Sequence, residues 1–246
     1  VEVKEGLPLS RGRVTLARTT YQRFFRRYDR LAAMTGTARE VARELWQVYR
    51  LPVATIPPHR PVRRIVRRAR VVGSEARKWT LIAEEARRRA ASGLPVLIGT
   101  RSVAASTRAA EALTRLGVPH EVLSAAQDAE EARKIGEAGQ AGRVTVATNM
   151  AGRGADIRLA PGVAARGGLC VLMSERHDSA RIDRQLMGRA GRQGDPGLCM
   201  AILSREDPLL ATDGPVLARL LARVPLGPVA ALAQCMAQRR AERLHA

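Results

Sequence analysis

"GLPVLIGTRSVAASTRAAEALTRLGVPHEVLSA", residues 93–125, reads as strand, helix, strand. Its opening "PVLIGT" (95–100) is an apolar run, the pattern of a strand covered on both faces. "SVAASTRAAEALTRLG" (102–117) places its apolar residues at helical spacing and stops on Gly117, which suits a helix end. "HEVLSA" (120–125) returns to strand. The alternation continues through "DAEEARKIGEAG" (128–139, helix), "RVTVATN" (143–149, strand), "GLCVLMSE" (168–175, strand), "SARIDRQLMGRA" (179–190, helix) and "GLCMAILS" (197–204, strand). Such units in series form a parallel sheet with right-handed crossovers. The expected class is α/β, a parallel sheet with flanking helices, plus helical segments at both ends.

Outside this region the pattern changes. Residues 20–50 read as two helical stretches around "MTGT". "LPVATIPPHRPVRRIVRR" (51–68) is Pro-rich and extended, and reads as a linker entering the sheet. After Ser204 the sequence turns helical and Pro-punctuated. The chain opens on Val1 and closes on a helical pattern without a stop signal, so both ends are expected to be cut ends of a longer protein.

The 246 residues are 46% hydrophobic but only 3% aromatic, so the core must be aliphatic. The formal charge is +19; only Lys4, Lys78 and Lys134 are lysines, which leaves 39 arginines among the 42 basic residues. That excess suits a protein that binds phosphate or a membrane surface. Arginine spread along the whole chain is equally the mark of biased coding. Either way it predicts adhesion to anionic lipid or, without sequence preference, to nucleic acid. Cys170, Cys199 and Cys235 make no C-x-x-C pair and no His stands at metal spacing, so no metal site is expected. There is no signal-peptide pattern and no apolar run of membrane-spanning length.

Two loops carry candidate chemistry. In a parallel sheet, ligands bind beyond the carboxyl ends of the strands. "NMAGRGAD" (149–156) follows the third strand, with Gly152 and Gly154 flanking Arg153 and with Asp156 closing the loop. The cation suits a phosphate and the carboxylate suits a ribose hydroxyl; a structural turn with a surface Arg would use the same residues. "QLMGRAGRQGD" (185–195) frames Arg189 and Arg192 with Gly188, Gly191 and Gly194. At i and i+3 of a helix both guanidinium groups would face one way, aimed at a phosphate that gains charge in a transition state. A solvated basic face is the alternative. No G-x-x-x-x-G-K-[ST] occurs in the sequence, so the chain offers Arg to a triphosphate but no phosphate cradle. It reads as half of a two-part nucleotide site.

"VTVATNMAGRGADI" (144–157) and "ERHDSARIDRQLMGRAGRQGDPG" (175–197) resemble motifs V and VI of superfamily 2 motors, in the wording of the SecA family of preprotein translocation ATPases. "FFRRYDRLAAMTGTA" (24–38) resembles that family's motif III segment and "GLPVLIGTRSV" (93–103) its motif IV region. "VEVKEGLPLS" (1–10) resembles the strand returning from the preprotein-binding domain, and "AQRRAER" (237–243) the start of the scaffold helix. The resemblance covers residues 1–207 and the last ten or so. It implies the end of the preprotein-binding and first motor domains at 1–50, a second RecA-like motor domain at 51–206, and the start of a helical scaffold at 207–246. It implies that Gly152, Arg153, Gly154 and Asp156 contact nucleotide, that Arg189 and Arg192 act as arginine fingers with Gln185, and that Thr35, Gly36 and Thr37 couple nucleotide state to domain movement. ATP and Mg2+ would be held mainly by a first motor domain bearing the P-loop. The implied partners are that domain, a SecYEG-type translocon, preprotein and anionic phospholipid, and the implied location is the cytoplasmic face of the cell membrane. Ala155 and Met187 depart from the family's usual Thr and Arg, and residues 208–230 match it poorly. A nucleic-acid helicase half is the competing reading, although the DEAD-box wording "HRIGRTGR" is absent. A non-catalytic interaction relic is the third.

Overall fold

The computed structural model describes residues 18–123, 134–148, 156–209 and 235–242. The segment 1–10, Gly152, Arg153, Gly154 and Ala155, the first half of the helix expected at 128–139, and residues 210–234 lie outside the described residues, while 134–137 are helical as expected. The chain divides into two compact units, Val1–Ala54 and Thr55–Ala246.

In the first unit, α1 (Tyr21–Phe25) and α2 (Ala42–Tyr49) bracket the "MTGT" stretch, matching the two helical stretches read from sequence. The Thr20 hydroxyl caps α1 by accepting from the Arg23 amide at 3.2 Å. Between the helices the Thr37 amide donates to Thr35 Oγ1 at 3.3 Å, and the two hydroxyls are also 3.3 Å apart. Thr35, Gly36 and Thr37 thus form a turn that closes on itself.

The second unit is a parallel α/β sheet. Its strands are β1 (Arg63–Val66), β2 (Arg70–Val72), β3 (Val96–Thr100), β4 (Glu121–Leu123), β5 (Val144–Thr148), β6 (Leu169–Met173) and β7 (Pro196–Ser204). The order is β1-β7-β6-β3-β5-β4, with β2 also on β7, and every pairing is parallel. Between or beside the strands lie α3 (Glu75–Ala91), α4 (Val103–Arg115), α5 (Val163–Arg166) and α6 (Ala180–Met187). Residues 235–242 add a further helical stretch.

The apolar runs explain the layering. In β3 and β6 every residue is buried, as a strand covered on both faces requires. Val96, Ile98, Cys170 and Leu172 face the cluster formed with Trp79, Ile82, Ala109 and Leu113 of α3 and α4. The alternate residues Leu97, Val171 and Met173 face Ile157, Leu186, Ala190 and Ala237. Burial pushes the thiols of Cys170 and Cys199 up to about 12 and about 11, so neither is a ready nucleophile at neutral pH.

Two features depart from the sequence reading. The segment read as a linker contributes β1, and β2 follows just beyond it; both pair with β7. Residues 67–69 lie opposite only 200–201, so this edge carries a one-residue bulge. Ile65 and Val66 are exposed there, and an edge strand with no cover on its outer side needs no apolar run. The second is α3, which the sequence reading passed over. Its many Arg and Glu hide a buried face of Trp79, Leu81, Ile82, Ala83 and Ala86.

Candidate functional site

α6 carries the candidate site and its place is fixed at both ends. The Ser179 hydroxyl accepts from the Arg181 amide at 3.3 Å, capping its start. Leu186 packs so closely on β3 that a Cβ added to Gly99 would lie 2.2 Å from Leu186 Cδ2. A glycine inside an otherwise bulky strand is the sequence mark of such an approach.

The arginine pair is not on the helix. α6 ends at Met187, with Gly188 as its C-cap. Gly191 and Gly194 take φ of +69° and +83°, conformations open to glycine and costly to other residues, and the chain turns through them into β7. Gly197 at the start of β7 sits beneath the turn: a Cβ there would meet the Gly191 amide nitrogen at 2.7 Å. The three glycines therefore build a turn, and their spacing alone does not argue for a ligand. The turn also lies toward the amino end of β7, not at the carboxyl edge where the pair was expected. A crossover helix in a parallel sheet must return the chain to that end. Arg64 Nη1 ties the turn to β1 by donating to Ala190 O at 3.1 Å, and Arg60 Nη1 donates to Gln193 O at 3.4 Å.

Asp156 nevertheless meets this turn. Arg192 Nη1 lies 2.5 Å from Asp156 Oδ1, while its Nε donates to Gly188 O at 3.0 Å. The guanidinium is thus oriented by the end of α6 and neutralised by the loop after β5. Both side chains stay 40–44% exposed, so solvent or an anionic ligand can reach them. Arg189 is half-buried on the same turn, its amide donating to Leu186 O at 3.0 Å. Gln185 is exposed on α6, one turn earlier. Arrangements of this kind suit an anion: two guanidinium groups on one turn and a carboxylate that one of them can exchange for phosphate.

Two polar clusters escaped the sequence reading. Asp183, on the core-facing side of α6, accepts from the His177 amide at 3.0 Å and contacts His177 Nδ1 at 2.8 Å. Arg176 Nη1 donates to its second oxygen at 3.2 Å. Burial pushes this carboxyl up, but hydrogen bonds led by the His177 ring outweigh burial and hold it below the ordinary Asp range. Its spacing from buried Leu186, three positions on, was the available signal. Elsewhere Lys78, 1% exposed, places Nζ 2.6 Å from Asp207 Oδ1 and 4.0 Å from Glu175 Oε1. A lysine among apolar neighbours, in a chain that otherwise uses Arg, marked that position.

A sequence model of the SecA P-loop domain matches residues 61–165 and 160–224, and one of the SecA DEAD-like domain matches residues 1–46. The first runs beyond residue 207, so part of the stretch read as a poor match does belong to the family pattern. Its description names a P-loop, although the chain has no G-x-x-x-x-G-K-[ST]. Protein translocase subunit SecA 2 of Bordetella avium is 55% identical over 85% of this chain and 32% of its own length. The SecA 2 of Nitrosospira multiformis is 49% identical over 100% of this chain and 38% of its own, and the SecA of Thermotoga neapolitana 49% over 87% and 25%. The chain therefore spans well under half of each of these relatives. Among solved structures, the DEAD-box protein SrmB of E. coli bound to the regulator RraA aligns with a TM-score of 0.47 at 19% identity, covering 58% of this chain and 82% of that one. The family models and the identities over most of the chain give one result: this chain belongs to the SecA family.

Proposed function

We propose that the second unit is the arginine-bearing half of an ATP site in a SecA-type, ATP-driven protein translocase. The observation that carries the reading is the exposed ion pair between Asp156 and Arg192 of the turn after α6. In this reading Arg189 and Arg192 reach the transferring γ-phosphoryl group from across a cleft, and Gln185 assists. Asp156, with Gly152, Arg153 and Gly154, contacts the rest of the nucleotide. Thr35, Gly36 and Thr37 couple nucleotide state to movement.

A first motor domain supplies the P-loop. In this reading the same domain holds most of the Mg2+ site. Residues of this chain bind and orient phosphate in this reading. The working partners are a SecYEG-type translocon and preprotein. The charge of +19 draws the chain to anionic phospholipid at the inner face of the cell membrane, and to nucleic acid only non-specifically. No helix among the described residues is long and apolar enough to cross a membrane.

The half-site reading is tested on the chain alone. It should not turn over ATP, and calorimetry should find nucleotide binding weak, because most phosphate contacts are lacking and each lost tenfold is about 1.4 kcal/mol. ATP turnover by the purified chain that is abolished by Arg189→Ala would refute it.

A further inference from the structure

We infer that Gln238 and Glu242 are positioning residues for the arginine turn, joining the helical stretch 235–242 to the first turn of α6. The inference rests on the reading of Arg189 and Arg192 as phosphate-facing. Glu242 Oε1 accepts from the Ala180 amide, the first of α6, at 2.6 Å. A carboxylate at that end of a helix meets unpaired N–H groups and the positive pole of the helix dipole. Gln238 is 3% exposed, and its Nε2 donates at 2.8 Å both to His177 O and to Asp183 Oδ2.

The chemistry of the cluster makes the attachment directional. A carboxylate only accepts, so the His177 Nδ1 facing Asp183 Oδ1 carries the proton. His177 Nε2 is buried and has no hydrogen-bond partner among the described residues. Asp183 gathers donors from the loop before α6 and from the helical stretch 235–242. Ala237, on the same stretch, is buried in the cluster that holds Leu186 and Ala190.

α6 carries this attachment to the turn. Gly188, Arg189 and Ala190 donate their amides to Arg184, Leu186 and Met187 carbonyls at 2.8, 3.0 and 3.2 Å. A shift of the helical stretch 235–242 thus moves the start of α6, and the turn that follows its end moves with it. The arginine pair is set from the scaffold side as well as by the sheet.

Amide exchange on the full chain tests this. Glu242→Ala should quicken exchange about tenfold both at 180–187 and at 188–192, while β3 and β6 stay protected. Glu242→Gln keeps an acceptor oxygen and should restore most of the protection. Gln238→Leu should act like Glu242→Ala; if it fails to fold, the half-buried Glu242 still decides. Quickening confined to 180–183, a Gln variant no better than Ala, or equal loss of protection in β3 and β6 would each overturn the inference. Joined to a first motor domain, Glu242→Ala should lower kcat and leave the KM for ATP unchanged. If exchange responds as stated but Arg189→Ala leaves turnover intact, the attachment stands and the nucleotide reading is what has failed.

Discussion

Arg192 and Asp156, 36 positions apart in sequence, are joined by a hydrogen bond of 2.5 Å between Nη1 and Oδ1. The pair ties Asp156 to the turn after α6, and both partners are exposed. A solvent-exposed ion pair adds about 0–1 kcal/mol to stability. Asp156→Ala should therefore leave the denaturation midpoint nearly unchanged. Its effect should fall on nucleotide affinity in the two-domain protein, measured by titration calorimetry. A large loss of stability with unchanged affinity would make the pair a structural strut.

Gly191 predicts the opposite balance. Its φ of +69° and a Cβ position 2.7 Å from Arg64 Cβ leave no room for a side chain. Gly191→Ala should cost ~1–3 kcal/mol in chemical denaturation, from left-handed backbone strain and crowding together. It should also displace the arginine turn.

Asp207 predicts a dependence on pH. Burial pushes its carboxyl up to about 6, against the opposing pull of Lys78. An acid with a raised folded-state value contributes stability that is full below its unfolded value and is lost as pH rises through the folded one. The stability of the protein relative to Asp207→Asn should therefore fall between about pH 4 and 6 and stay level above that. Asp183, held low, works in the opposite sense, with stability lost as pH falls. Urea midpoints of both proteins across this range check the sign. A gain relative to the Asn variant on going from pH 4 to 6 would contradict it.

Buried strands were the legible part of the sequence. "PVLIGT", "RVTVATN", "GLCVLMSE" and "GLCMAILS" each became a parallel strand: the first and third are apolar because both faces are covered, the second is β-branched and the last is apolar over most of its length. β1 was not legible, since its exposure removes that demand and leaves Arg-rich sequence, the look of a linker; β2 is only three residues long. Asp156 and Arg192 could be named as separate candidates, but their contact depends on where α6 ends. Gly188 fits a helix as easily as a cap, so the helix was carried past Met187 and the pair was read as two helical positions. Lys78 stood out as a lysine in an Arg-rich chain, but its pairing with Asp207, 129 positions away, is set only by packing.

The most direct test of the central claim is steady-state ATPase with nucleotide affinity measured in parallel, on the chain joined to a first motor domain. An arginine finger meets charge that develops as the γ-phosphoryl group leaves, so its worth lies in the transition state. Arg189→Ala and Arg192→Ala should each lower turnover by about 10³-fold or more and change affinity far less. Lysine at either position should restore little, because it lacks the planar fork. Near-normal turnover in both alanine variants would make the pair a solvated basic turn and contradict the account.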